Sequence, residues 1–242
     1  YPNMGDGGLA VGVAALSYNN KKGFMPEKVK SMYLGSKYSN KQILSEIKKG
    51  NFKTLEIKKP EKFIAKRLHE GYVVGCFQGR MEFGPRALGN RSILVGTKDK
   101  SVNEWLNKRL RRTEFMPFAP VVLEDDMKDI FLDWNENDKT SQYMTSTYHL
   151  NLNYQDLIAA VVHVDETARP QSVSQENYPF LYKVLKEVKR ISGIGVAINT
   201  SFNLHEEPIV ESPNDALVAL RKSAVDILYF DSLRVDLKKH AK

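Results

Sequence analysis

Apolar and polar residues follow one another in short blocks from about residue 61 onward, and each block has the length of one secondary-structure element. Pro60 followed by EKFIAKRLHEG predicts a helix, with proline before its first turn and Gly71 after its last. YVVGCF (72–77) and SILVG (92–96) predict short apolar strands. Ser101 and Glu104 have capping-box spacing and predict the start of a helix, VNEWLNKRLRR. PFAPVVL (117–123) predicts an extended segment, and LIAAVVHVD (157–165) a buried strand. NYPFLYKVLKEVKRIS predicts a helix ended by Gly193, followed by the strand IGVAINT (194–200). Ser212, Pro213 and Asp215 predict a helix start, with the helix running to Lys222; DILYF (226–230) and LRVDL (233–237) predict closing strands. Strands that alternate with helices predict an α/β sheet, with α+β as the alternative class.

The first 60 residues have a different pattern. YPNMGDGGLAVGVAALSY is small, apolar and glycine-rich, and Gly7–Leu16 predicts a tightly packed helix of the kind that ends another domain. Residues 19–60 are rich in lysine and turn signals. Within them Ser39 and Asn40 predict the cap of a short helix, KQILSEIKKG, stopped by Gly50. The expected organisation is therefore a domain tail at 1–18, a wrapping linker at 19–60 and a main domain at 61–242. The chain starts at Tyr1 rather than Met, which predicts a piece of a larger protein. No apolar run reaches the roughly 18 residues of a membrane span, and no signal peptide is present, so a cytoplasmic location is expected. A single cysteine, Cys76, excludes an internal disulfide and a cysteine-based zinc site; its apolar surroundings predict a buried structural thiol.

Charge changes the picture because it is uneven. Residues 21–70 carry 14 basic and 5 acidic side chains, but 13 of the 14 are lysine, which fits a solvated face. Residues 80–112 carry 9 basic and 3 acidic side chains and hold 6 of the 11 arginines, the residue suited to bidentate recognition of phosphate and carboxylate. Residues 113–168 carry 2 basic and 11 acidic side chains. They are a source of partners for those arginines if the cluster is only structural.

The arginine-rich block contains GRMEFGPRALGNRS, with Gly79, Gly84 and Gly89 five residues apart and Pro85 fixing the backbone before Arg86. Such a loop can present backbone N–H groups and guanidinium forks to an anion. It is not a P-loop, because Pro85-Arg86 stands where Lys-Ser/Thr is required. Three polar clusters follow predicted strands and can converge on one pocket. Their candidate donors are Arg80, Arg86, Asn90, Arg91 and Ser92, then Arg169 and Gln171, then Asn199, Thr200, Ser201 and Asn203. Lys108, Arg109, Arg111 and Arg112 lie on one predicted helix and can add one or two cations. His163 reads as a core histidine, and no histidine pair has helical metal-site spacing.

The blocks GRMEFGPRALGNRSIL, NEWLNKRLRRTEFMPFAP, DETARPQSV and NTSFNLHEEPIV, in that order across residues 79–210, resemble the carboxyl-terminal part of the NodU/CmcH-type O-carbamoyltransferases. The lead-in YLGSKYSNKQI (33–43) is similar too. The resemblance implies a YrdC-like domain, a twisted and mostly mixed sheet flanked by helices with a concave basic pocket. It also implies a preceding Kae1-like domain with an iron site, of which NMGDGGLAVGVAAL (3–16) is the tail. Asp6 then matches a metal-binding aspartate whose histidine partners lie upstream. The implied activity is antibiotic- or nodulation-factor-type carbamoyl transfer. ATP, with Mg2+, and carbamoyl phosphate form carbamoyl-adenylate, pyrophosphate and phosphate, and the carbamoyl group passes to a hydroxyl. The resemblance implies that Arg80, Arg86 and Arg91 hold phosphate oxygens. Asn90, Ser92, Asn199, Ser201 and Asn203 position the substrates, and Lys108 and Arg169 complete the positive wall. The preceding domain is the implied partner, and the resemblance leaves room for a homodimer. RNA binding is disfavoured, because aromatic residues do not interleave with the arginines. A threonylcarbamoyl-adenylate synthase shares the YrdC-like fold but lacks the GPRALGNRS block.

Overall fold

The computed structural model describes residues 3, 5–23, 31–113, 117–231 and 233–236. Eight strands form one mixed sheet: β1 (Thr54–Glu56), β2 (Val74–Phe77), β3 (Arg91–Val95), β4 (Ala119–Leu123), β7 (Gln171–Val173), β8 (Val196–Ser201), β9 (Ile227–Phe230) and β10 (Leu233–Asp236). Their order is β1-β10-β9-β2-β3-β8-β4-β7. Only β9–β2 and β4–β7 are parallel neighbours. A separate ribbon pairs β5 (Tyr148–His149) with β6 (Thr167–Ala168).

The central strands read as continuous apolar runs because both sheet faces are covered. On one face Phe77, Ile93, Val122, Ile198 and Phe230 pack with α2 (Asn40–Lys49), α4 (Val102–Arg109), α5 (Glu124–Ile130) and α7 (Pro213–Arg221). On the other, Cys76, Leu94, Val121, Ala197 and Tyr229 pack with α3 (Pro60–His69) and α6 (Pro179–Ser192). Adjacent residues of one strand go to opposite layers, the period of two expected of a strand. Cys76 is fully buried, and burial pushes its thiol up to about 12, so it is the inert core thiol expected from its context.

Helix ends follow their local chemistry in most places. Ser39 with Gln42, and Ser212 with Asp215, form complete capping boxes. The box expected at Ser101 and Glu104 is absent. Ser101 is itself helical in backbone conformation, and its N–H and hydroxyl both donate to Asp99 Oδ1, 2.9 and 2.7 Å away. An aspartate two residues earlier has captured the groups that a box would use.

A further expectation is corrected. Residues 157–165 form no strand. They run through two 3-10 turns (Leu152–Leu157 and Ala159–Val161) into a loop whose Val164 is fully exposed. Their backbone is satisfied by side chains and a loop instead of a ladder: Thr97 Oγ1 donates to the Leu157 carbonyl, Asn103 Nδ2 to that of Ala160, and Ala160 N–H to the Thr97 carbonyl. The amino-terminal helix α1 (Asp6–Lys22) forms, and extends past residue 18, but it buries nothing. Leu9, Val13 and Leu16 are all exposed. The lysine-rich segment contributes to the sheet domain, since Ile43 and Ile47 of α2 enter the core and β1 pairs with β10. No helix among the described residues is long and apolar enough to cross a membrane.

Candidate functional site

The glycine–arginine stretch links β2 to β3, and it is organised from inside by an acid. Glu82 is 6% exposed, and its Oε1 accepts the backbone N–H groups of Leu88, Asn90 and Arg91 at 2.7, 2.7 and 3.0 Å. Gly89 N–H donates to Ser92 Oγ at 2.8 Å, and Gly79 N–H to Asp231 Oδ1 at 3.2 Å. Gly79, Gly84 and Gly89 all have positive φ, at 49°, 109° and 115°. The glycines therefore shape the loop as expected. The backbone donors of Gly79 and Leu88–Arg91, however, are taken by the protein's own side chains.

The arginines of this stretch separate. Arg91 is fully buried, its guanidinium carbon 3.6 Å from the Phe77 ring centroid. Its Nη1 donates to the carbonyls of Gln78 and Asn90 at 2.7 and 2.9 Å. It tethers the loop to the strand ends and has no free face for a ligand. Arg80 is exposed and donates to the Leu34 carbonyl at 2.6 Å. Arg86 alone of the three enters a cleft, whose volume is about 90 Å³ and which opens to solvent.

Sheet topology builds that cleft. β8 runs antiparallel to β3 and β4, so its carboxyl end meets their amino ends; the register pairs Ser92 with Ser201 and Ala119 with Asn199. The lining includes Arg86, Ala87, Arg112, Phe118, Met144, Arg169, Asn199, Thr200 and Ser201. Arg169 arrives from the short link between β6 and β7 rather than from the end of a strand at 157–165. Arg112 arrives because α4 stops early. Arg111 takes a left-handed φ of 59°, with Arg111 N–H on the Lys108 carbonyl and Arg112 N–H on that of Asn107, a Schellman ending. The turn lays Arg112 over the Phe118 ring, 4.9 Å away, with Nη2 donating to Thr200 Oγ1 at 3.0 Å. Arg111→Gly is expected to relieve the strained φ and raise unfolding stability by about 1 kcal/mol while leaving Arg112 in place. Chemical denaturation decides this, and a loss of stability would contradict it.

Burial holds all three cleft guanidinium groups below the usual arginine value, and for Arg169 the nearby Arg86 adds to the effect. Among the described residues no carboxylate pairs with Arg86, Arg112 or Arg169, and the described lining contains none. The described acids of the segment 113–168 do not pair with them. Three half-buried cations with no described counter-ion thus stand together in one cleft, an arrangement with the chemistry to attract an anion.

Of the remaining expected residues, Asn199 and Ser201 line the cleft. Asn90 and Ser92 are buried in the loop scaffold, Asn90 Nδ2 donating to the Arg80 carbonyl. Asn203 accepts the Ser201 hydroxyl and donates to the Glu207 carbonyl, bracing the turn after β8. Lys108 is exposed outside the cleft, and its neighbour Arg109 is paired with Asp226 at 2.8 Å. His163 is half-buried on a loop, with Nδ1 3.1 Å from Thr167 Oγ1, and burial lowers its pKa. Asp6 is exposed at the start of α1, and no group of three or more metal-ligating side chains exists among the described residues. Sequence reasoning placed Arg112 on a helix face and overlooked Glu82; an acid isolated within an arginine-rich block was the available signal.

The family described as carbamoyltransferase C-terminus matches residues 65–236. An uncharacterized protein of Methanocaldococcus jannaschii, MJ1058, is 35% identical over 98% of this chain and 40% of its own length. The nodulation protein NolNO of Sinorhizobium fredii is 31% identical over 96% of this chain and 35% of its own. This chain thus spans well under half the length of these relatives. A solved structure of full-length HypF, described as phosphate- and nucleotide-bound, superposes with a TM-score of 0.53 at 20% identity, over 73% of this chain and 22% of its own; the shared fold is the YrdC-like α/β arrangement. On the family match and on relatives above 30% identity across nearly its whole length, the chain belongs to the carbamoyltransferase C-terminus family.

Proposed function

We propose that this domain binds carbamoyl phosphate and ATP and forms carbamoyl-adenylate, for transfer to a hydroxyl acceptor held by a Kae1-like domain of the parent chain. The observation that carries the proposal is the convergence of Arg86, Arg112 and Arg169 on one cleft, with no carboxylate partner among the described residues. Carbamoyl phosphate is a dianion and ATP a tetra-anion, so bringing them together requires fixed positive charge. The family membership and the phosphate and nucleotide named for the HypF structure support the same reading.

Atom balance sets the sequence of events. Water cleaves carbamoyl phosphate to carbamate and phosphate. A carbamate oxygen then attacks the α-phosphorus of ATP, forming the mixed anhydride and displacing pyrophosphate. Catalysis of such transfers is mainly positioning and charge stabilisation, which explains a site without a histidine or serine nucleophile. Arg86 and Arg169 clamp phosphate oxygens from opposite loops, Arg112 adds a third cation braced by Thr200, and Ser201 supplies a hydroxyl at the mouth of β8. The described lining offers no carboxylate, so these residues do not fit a protein-bound Mg2+; iron likewise finds no ligand set among the described residues.

The test is pyrophosphate release by the intact parent chain with ATP, with and without carbamoyl phosphate. Release that requires carbamoyl phosphate is the expected result; release indifferent to it contradicts the proposal. The 242-residue chain alone is expected to bind these ligands weakly and to carbamoylate no acceptor, and full transferase turnover from it would overturn the division of labour.

A further inference from the structure

One polar atom of the cleft is left without a partner. Asn199 is 1% exposed, and its buried Oδ1 has no hydrogen-bond partner. The side chain cannot turn over to relieve this. Its Nδ2 donates to the Ala87 carbonyl at 3.1 Å and to Gln171 Oε1 at 2.7 Å. The Ala87 carbonyl can only accept. Gln171 is fixed in turn, because it is fully buried and its Nε2 donates to the Leu88 carbonyl at 3.2 Å. Reversing Asn199 would set an oxygen against two acceptors. Two backbone carbonyls therefore keep Oδ1 an unpaired, buried acceptor on a residue that lines the cleft with Arg86 and Arg169. Phosphate oxygens cannot satisfy it, since they accept as well. A ligand that satisfies it brings an N–H or O–H donor next to its anionic group.

We propose that Asn199 is the specificity-determining residue of this site, its Oδ1 accepting an N–H of the carbamoyl amide so that the cleft selects carbamoyl phosphate over acyl phosphates of the same shape. This rests on the reading of the cleft as a carbamoyl phosphate site. Carbamoyl and acetyl phosphate present the same phosphate to the arginines and differ by an amino against a methyl group. A methyl there leaves the buried acceptor unpaired, and sites built to hydrogen-bond a substrate group reject analogues that lack it. Gln171 acts as the positioning residue that keeps the acceptor aimed.

The experiment uses two stable isosteres, phosphonoacetamide and acetonylphosphonate, with inorganic phosphate as a reference, titrated calorimetrically into the intact parent chain. The wild-type protein is expected to bind the amide at least about tenfold more tightly than the methyl ketone. Asn199→Ala is expected to reduce that ratio to near unity while phosphate affinity, which reports on the arginines, changes less than about threefold. Equal binding of the two isosteres by the wild-type protein overturns the role of Asn199, whether or not the variant folds. Loss of ATP affinity in the variant with an unchanged ratio also overturns it, by giving the donor to the nucleotide. If phosphate binds but neither isostere competes with it, the carbamoyl phosphate reading itself fails. If phosphate does not bind either, the anion site fails with it.

Discussion

Arg86→Ala is expected to lower carbamoyl-phosphate-dependent pyrophosphate release more than tenfold without destabilising the protein. Removing one preorganised donor to developing charge costs roughly 10²–10³-fold in rate. The stability half of the prediction comes from the surroundings of Arg86. Its guanidinium is half-buried, no described carboxylate pairs with it, and it lies close enough to Arg169 to disfavour that group's charge. Deleting a desolvated cation beside a like charge removes a repulsion and no hydrogen bond. The unfolding temperature should hold or rise. Arg91→Ala is the contrasting variant. It strips Nη1 from the Gln78 and Asn90 carbonyls and empties the space over Phe77, so it should unfold early. Thermal unfolding beside turnover separates the two roles. An Arg86→Ala protein that keeps full activity removes Arg86 from the mechanism, and one that loses stability as Arg91→Ala does makes it a scaffold residue.

That contrast shows what the sequence could and could not convey. Arg86 and Arg91 stand five residues apart in one conspicuous block, and composition treats them alike. Register separates them: Arg91 is the first residue of β3, paired with Phe77, while Arg86 precedes the strand on a loop. Register depends on long-range pairing that the chain order does not display. The strands ending at Phe77 and Ser201 were legible, because short apolar runs buried on both faces have few other destinations. The run at 157–165 had the same composition yet became 3-10 turns, because Thr97 and Asn103, some 60 residues upstream, supply its backbone partners. Arg112 was not singled out from its helix neighbours for a local reason. Helical spacing was extended three residues too far, through Arg111, whose left-handed conformation glycine would have announced. The cleft was thus readable as arginine-rich chemistry, while the choice among the arginines was made by tertiary structure.

Glu82→Ala is expected to cost about 3 kcal/mol or more of folding stability and to abolish ordered anion binding, although Glu82 lies outside the cleft lining. One carboxylate oxygen gathers three backbone N–H groups across Leu88–Arg91, and that grip closes the loop carrying Pro85, Arg86 and Ala87. Charge-assisted bonds of this kind are worth about 1.5–3 kcal/mol each, and the donors left behind would be buried without partners. Arg91 gains from the same acid, whose charge favours its protonated form against burial. Glu82→Gln keeps an oxygen where the three N–H groups converge. It places an amide where Oε2, already unpartnered, now sits. It should therefore fold, recover more than half of the stability lost in the alanine variant, and restore phosphate binding in proportion. Urea denaturation and phosphate titration of the two variants test the argument together. If Glu82→Ala matches the wild-type midpoint, the loop closes without the acid. If Glu82→Gln is as unstable as Glu82→Ala, the negative charge matters more than the acceptor geometry.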